Sequence, residues 1–299
     1  MTPAIIGTRS SALAVAQTRL VMAELKRSWP GRNFEIRTIK TKGDELAENP
    51  AAGRDLNKGL FTAELEKALL ADDIDIAVHS LKDMPTDETS GLALGAITKR
   101  AGAHDVLITR GPQSLRELPT YAVIATGSPR RAAQLNLFRR DLRPEDIRGN
   151  IDTRIRKFRE NVEWAGLILA AAGLERLKPD LQNLVATPLP FETMLPAPGQ
   201  GALAVQTREN DKDVLQLLQP LHDTRTSACV TAERMFLHAL GGGCDEPIAA
   251  YAEITEDNLL RLDGIAWLVG EQEPRRGQLI RRIDQPEVLG VDLAVELSR

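Results

Sequence analysis

Short apolar or alternating runs trade places with helical-period stretches along the first two thirds of the chain. Residues 4–7 form an apolar run that predicts a short buried strand. Over residues 10–26, Leu13, Ala16, Leu20, Ala23 and Leu25 recur near helical spacing. Residues 34–39 alternate as a strand does, residues 62–70 return to a helical period, and residues 74–78 alternate again. Strand, helix, strand, helix, strand predicts a parallel, doubly wound sheet.

The pattern restarts near residue 104. Residues 105–109 and 122–125 read as strands, 130–138 and 153–161 as helices, and 165–170 as an apolar strand running into Ala171-Ala172-Gly173. Two units of similar size suggest two lobes with a cleft between them. A stretch containing Pro188, Pro190, Pro196 and Pro198 then leads through Gly199-Gln200-Gly201 to a strand-like run at 202–205, read as a return crossover into the first lobe. Beyond residue 220 a helix carrying Cys229 runs toward Leu240, and strand-like pieces follow at 248–254, 259–267 and 279–283. The expected fold is α/β, with two doubly wound lobes and a small α+β C-terminal domain. The expected bounds are 1–98 with 202–219, then 103–196, then 220–299.

Composition narrows the class. A chain of 299 residues can bury two or three cores. No run approaches the roughly 18 unbroken apolar residues of a membrane span. The N-terminus lacks a basic stretch followed by an apolar one, so a cytoplasmic protein is expected. Two cysteines, Cys229 and Cys244, make no disulfide framework, and a reducing compartment would keep Cys244 a thiol. Cys229 is expected to pack as a small apolar residue. A net charge of -4 argues against a generic polyanion binder and a nucleic-acid partner. The charge is uneven, however. Arg130, Arg131, Arg139, Arg140, Arg143, Arg148, Arg154, Arg156 and Lys157 face only Asp141, Glu145, Asp146 and Asp152 across the same segment. Such a cationic zone can focus an anionic ligand.

Candidate chemistry gathers at strand exits. His79-Ser80-Leu81-Lys82-Asp83-Met84-Pro85 follows a strand directly, where open α/β sheets bind ligands. Thr126-Gly127-Ser128-Pro129-Arg130-Arg131 opens a helix, whose free N–H groups and two guanidinium forks suit an anion. Arg148-Gly149-Asn150-Ile151-Asp152-Thr153-Arg154 also precedes a helix, as does Gly7-Thr8-Arg9-Ser10-Ser11. Asn57-Lys58-Gly59-Leu60-Phe61 puts a lysine on a glycine turn beside an aromatic. Each alone is equally an ordinary polar turn or helix cap. Together they suit a ligand with many separate anionic groups. None matches a Walker loop or a dinucleotide fingerprint, and the scattered histidines suggest no metal site. Cys244 stands in Gly241-Gly242-Gly243-Cys244-Asp245-Glu246-Pro247, a thiol displayed on a glycine turn as an attachment point or a nucleophile.

The ordered set of motifs resembles the porphobilinogen deaminase (hydroxymethylbilane synthase) family. The matching runs are Gly7 to Ala14, Lys58-Gly59-Leu60-Phe61, His79 to Pro85, Arg130-Arg131, Arg148-Gly149-Asn150, Pro198-Gly199-Gln200-Gly201 and Gly242-Gly243-Cys244. They span nearly the whole chain in the family's order. The resemblance implies two lobes like those of type II periplasmic binding proteins. It implies a transferase that joins four porphobilinogen units head to tail, releases ammonia at each step and yields hydroxymethylbilane for tetrapyrrole (haem) biosynthesis. It also implies a dipyrromethane cofactor tethered to Cys244, and a monomer with no membrane or nucleic-acid partner.

Each pyrrole ring carries an acetate and a propionate. The resemblance therefore casts Lys82, Asp83, Ser128, Arg130, Arg131, Arg148, Gly149 and Gln200 as cofactor-binding. It casts Arg9, Ser11, Lys58, Phe61, Ser80, Thr126, Arg148, Arg154 and Gln200 as substrate-binding. Asp83 is the catalytic residue it implies, stabilising the cationic azafulvene left by ammonia loss. Three departures stand out: Pro129 where a leucine is frequent, Gly241 where a glutamate is frequent, and acidic Asp245-Glu246 beside the thiol. The acidic pair is expected to raise the thiol pKa and slow cofactor loading. Two rival readings are a solute-binding protein for an anionic metabolite and a catalytically dead relative. The absent export signal and presented thiol oppose the first, and intact Lys82-Asp83 and Cys244 oppose the second.

Overall fold

The computed structural model describes residues 2–41, 61–242, 246–268, 270–271 and 273–299. The chain divides into two compact units. Unit 1 holds residues 1–101 and 202–228, and unit 2 holds 102–201 and 229–299.

Unit 1 is built on a five-stranded sheet of order β2-β1-β3-β10-β4. The strands are β1 (Ala4–Arg9), β2 (Phe34–Ile39), β3 (Ile76–Ser80), β4 (Leu92–Ile97) and β10 (Leu203–Arg208). Helix α1 (Ala12–Ser28) starts where Ser11 Oγ accepts from Ala14 N. It buries Ala14, Val21 and Leu25 on one face, while Lys26 and Arg27 sit favourably in its last turn. Helix α2 (Ala63–Leu70) covers the other sheet face, burying Leu65 and Leu69 against Ile74, Ala77 and Leu92.

Strands β1, β2 and β3 run parallel, as the alternation predicts. The sheet is nevertheless mixed: β10 runs antiparallel to both β3 and β4. The third strand also begins two residues later than its apolar pattern suggests. Ile74 is buried in the α2 contact, so its hydrophobicity reports core packing and not strand pairing.

Unit 2 repeats this order in its own sheet, β7-β6-β8-β5-β9. Its strands are β5 (Asp105–Thr109), β6 (Val123–Ala125), β7 (Arg143–Glu145), β8 (Trp164–Ala170) and β9 (Val185–Pro188). Here β6, β7 and β8 are parallel, and β5 is antiparallel to β8 and β9. In each sheet the reversed strand, β10 or β5, is the first strand after the chain passes from one unit to the other. Helices α3 (Pro129–Phe138), α4 (Ile151–Glu160) and α5 (Ala171–Leu177) connect these strands.

Unit 2 also holds a three-stranded antiparallel sheet, β11 (Ile248–Ile254), β12 (Leu259–Ala266) and β13 (Arg275–Arg282). Helix α6 (Lys212–Leu218) belongs to unit 1, α7 (Thr224–Ala239) begins in unit 1 and continues into unit 2, and α8 (Pro286–Leu297) closes the chain. Phe236, Leu289 and Leu293 are fully buried against the C-terminal sheet, and Cys229 packs in the same cluster. Gly290 lets α8 lie close on α7: a Cβ there would stand 2.4 Å from Ala232 O. Leu195, Ala249 and Ile265 join the two sheets of unit 2, and the Phe191 and Tyr251 rings stack at 4.1 Å.

Candidate active site

In unit 1 the turn after β3 is anchored by its apolar residues. Leu81 is fully buried and its N–H donates to Ala202 O at 3.1 Å, while Met84 N donates to Leu81 O at 3.1 Å and Met84 is buried too. These two pins hold the single 3-10 turn Leu81–Asp83, so that Lys82 and Asp83 emerge half-buried at the carboxyl end of the strand. Ser80 is fixed from α1, where Gln17 Nε2 donates to Ser80 Oγ at 2.9 Å. At the end of β1 the Arg9 guanidinium lies over the Phe61 ring, 4.2 Å from its centroid. Ser11 serves as the α1 cap. His79, on β3, is buried. Burial pushes its pKa down to about 4, the Gln206 side chain opposes that shift, and the charge of Arg9 adds to it.

In unit 2 the helix α3 turns a polar face inward. Ser128 caps it, accepting from Arg131 N at 3.5 Å, and Pro129 occupies its first turn. Arg130, Arg131, Gln134 and Leu135 are all buried. The two arginines meet one fully buried carboxylate: Asp105 Oδ2 accepts from Arg130 at 2.8 Å and Oδ1 from Arg131 at 2.7 Å. Gln200, also fully buried, donates to Asp105 Oδ1 at 2.9 Å and to Ala103 O at 2.7 Å. Burial alone would raise the Asp105 pKa. The charges of Arg130 and Arg131, with the bonds from Arg131 and Gln200, reverse this and hold it well below the usual carboxylate range.

The remaining unit 2 candidates sit on neighbouring turns. Thr126 is buried, and its Oγ1 accepts from Ser128 N at 3.3 Å. Gly149 takes φ 117°, a region that L side chains rarely adopt, and so makes the turn into α4. Arg154 Nε donates to Gly149 O at 2.6 Å, fixing that turn from the helix side. Arg148 pairs with Asp146 at 3.0 Å, both about half exposed. Arg176, which sequence reasoning passed over, donates to Gly201 O, and burial lowers its pKa.

The structure thus gathers Arg130, Arg131 and Gln200 around one carboxylate, Ser80, Lys82 and Asp83 at one strand exit, and Arg148, Gly149 and Arg154 on one turn. Lys58 and Cys244 lie outside the described residues. Asp105 was not anticipated. Its signal was an acidic residue opening the apolar run Val106-Leu107-Ile108, since a carboxylate buried with such a strand requires a cationic partner. Among the described residues, no group of three or more His, Cys, Asp or Glu is placed to hold a metal. None of the described helices is long and apolar enough to cross a membrane.

Comparison with known proteins gives two family matches in chain order. Residues 4–216 match the model described as porphobilinogen deaminase, dipyromethane cofactor binding domain. Residues 227–299 match porphobilinogen deaminase, C-terminal domain. The porphobilinogen deaminase of Thermus thermophilus is 44% identical over 290 residues, covering 97% of this chain and 93% of its own. That of Deinococcus radiodurans is 44% identical, covering 98% and 94%. A solved methionine-binding protein, MetQ, matches at 12% identity and TM-score 0.43 over 73% of this chain and 89% of its own, a likeness too remote to bear on function. With two family models accounting for nearly every residue in order, the chain belongs to the porphobilinogen deaminase family.

Proposed function

We propose that this chain polymerises four porphobilinogen units head to tail on a dipyrromethane primer held through Cys244, releasing ammonia at each addition, and that water then frees the four-ring chain as hydroxymethylbilane while the primer stays attached. The observation that carries this reading is the family match across residues 4–216 and 227–299, which takes in every motif named above. The described residues suit a primer bearing carboxylates. Arg130 and Arg131 share a single carboxylate, and Arg131 Nε is buried without a hydrogen-bond partner.

When bound, the dipyrromethane supplies the pyrrole carbon on which chain growth begins. Asp83 has the catalytic role. Half-buried at a strand exit, its carboxylate stabilises the positive charge that develops as ammonia leaves the substrate, and accepts or returns a proton at a pyrrole nitrogen. Lys82, Ser128, Arg130, Arg131, Arg148, Gly149 and Gln200 hold the primer. Arg9, Ser11, Lys58, Phe61, Ser80, Thr126 and Arg154 bind substrate, and Arg148 and Gln200 serve both. Residues 220–299 anchor the primer. The enzyme works in the cytoplasm without a nucleic-acid partner, a reading supported by its net charge of -4 and its cysteine usage, and as a monomer, which the family resemblance alone implies.

The test is the mass of the intact protein. It should exceed the sequence mass by one dipyrromethane adduct, and Cys244→Ser should abolish both adduct and turnover. An unmodified protein that still consumes porphobilinogen refutes the reading.

A further inference from the structure

Unit 2 encloses two guanidinium groups and one carboxylate. Arg130 and Arg131 are 4% and 5% exposed, and Asp105 is 0%. Each oxygen of Asp105 takes one arginine, and Gln200 adds a third donor. The arginines spend another nitrogen each on a main-chain carbonyl, Arg130 on Leu195 O at 2.6 Å and Arg131 on Ile168 O at 3.0 Å. Among the described residues no second carboxylate pairs with either guanidinium, so the cluster carries one surplus positive charge.

That arrangement is a poor way to stabilise a fold. A buried ion pair is often no better than an apolar packing of the same volume. A surplus buried charge is worse. The cations also occupy the first turn of α3, the positive end of its dipole. The surplus charge therefore answers to a ligand anion.

We propose that Asp105 is a positioning residue that sets the charge of this site: by neutralising one of two arginines it fixes both, and it leaves a single positive charge matched to one carboxylate of the pyrrole chain. Arg130 and Arg131 come from adjacent positions on one helix turn; the carbonyls of Leu195 and Ile168 each hold one guanidinium, but among the described residues Asp105 alone ties the two together and caps their charge at one. The inference rests on the function proposed above and deepens it at one residue.

The test uses the full-length protein with Asp105→Asn and Asp105→Glu. Adduct content is read by intact mass, KM and kcat with porphobilinogen, and the melting temperature with and without inorganic sulfate. In Asp105→Asn the surplus rises to two charges. Adduct content should then fall about fivefold or KM rise about tenfold, and sulfate, a dianion, should raise its melting temperature more than that of the parent protein. Asp105→Glu should recover adduct to within about twofold of the parent while KM stays raised. Asp105→Asn with parental loading, KM and sulfate response overturns the proposal, as does loss of adduct with an unchanged sulfate response. If Asp105→Asn does not fold, Asp105→Glu decides: a raised KM at near-parental melting supports positioning, and a parental KM at lowered melting makes the carboxylate purely structural. A parent protein with neither adduct nor turnover would instead sink the underlying function.

Discussion

The carboxylate of Glu233 accepts a hydrogen bond from the backbone N–H of Gly199 at 2.7 Å, deep inside unit 2. Its other oxygen accepts from Ala252 N at 2.8 Å. One side chain on α7 thus ties the Gly199-Gln200-Gly201 turn to the C-terminal sheet, and the same turn delivers Gln200 to Asp105. Glu233→Ala would leave two buried N–H groups without this acceptor, at about 1–3 kcal/mol each. Chemical denaturation should show a loss of about 2–6 kcal/mol. A change below about half a kcal/mol, the range of an ordinary surface substitution, would show that the tie contributes nothing.

Asp83 gives a prediction of a different kind. Asp83→Asn keeps size and shape but removes the charge, so turnover should drop by about a hundredfold or more, as when a preorganised electrostatic group is lost. Intact mass should still show the adduct. Turnover near that of the parent protein would remove Asp83 from the chemistry.

His79 should make stability depend on pH. Its pKa is about 4 in the fold against an ordinary value of 6.5, so between these limits the unfolded chain binds a proton that the folded one refuses. Stability from this group is complete above pH 6.5 and is lost as pH falls toward 4, by about 1.4 kcal/mol per pH unit. The total is about 3 kcal/mol over the window. Groups against His79 include Arg9 and Gln206, and Gln206 in turn donates to Glu66 at 3.4 Å. His79→Gln should flatten the stability profile between pH 6.5 and 4. Parallel profiles for the two proteins would place the titration elsewhere.

Gly290 is tested by its size alone. A Cβ there would lie 2.4 Å from Ala232 O and 2.7 Å from Phe236 N, and neither is a side-chain end that can swing away. Gly290→Ala should therefore push α8 off α7, at about 2–3 kcal/mol from overpacking. The melting temperature checks it, and an unchanged value means the helices separate without cost.

Legibility in the sequence followed the range of the interactions. Strands β2, β5 and β11 were readable because their own residues carry the pattern: Phe34 is buried where Glu35 is exposed, and all five residues of β5 are buried. Strand β7, Arg143–Glu145, escaped notice because an edge strand of Arg, Pro and Glu has neither apolar content nor alternation. Strands β4 and β9 and helices α6 and α8 also went unread. In β4, Leu92–Ile97, a glycine interrupts a short apolar run that fits either element.

The candidate site was legible as residue types and not as an arrangement. Arg130 and Arg131 read as forked donors for a ligand anion at a helix start, and both are buried against a carboxylate of the chain itself. The reason is Asp105, 25 and 26 positions upstream, whose pairing with them depends on the sheet placing β5 beside α3. Ser11 and Ser128 show the reverse: their capping bonds span three residues, so the local sequence sufficed.

The position of β10 between β3 and β4 bears on the order of assembly during synthesis. A domain ordinarily folds as its chain emerges, with the N-terminal part first. Here β4 is complete at residue 97, but its hydrogen-bonding neighbour is not finished until residue 208. The sheet of residues 105–188, by contrast, has all five of its strands on one unbroken stretch of chain. The strand order therefore makes the sheet translated second the first that can close. The leading sheet must wait for the ribosome to pass residue 208.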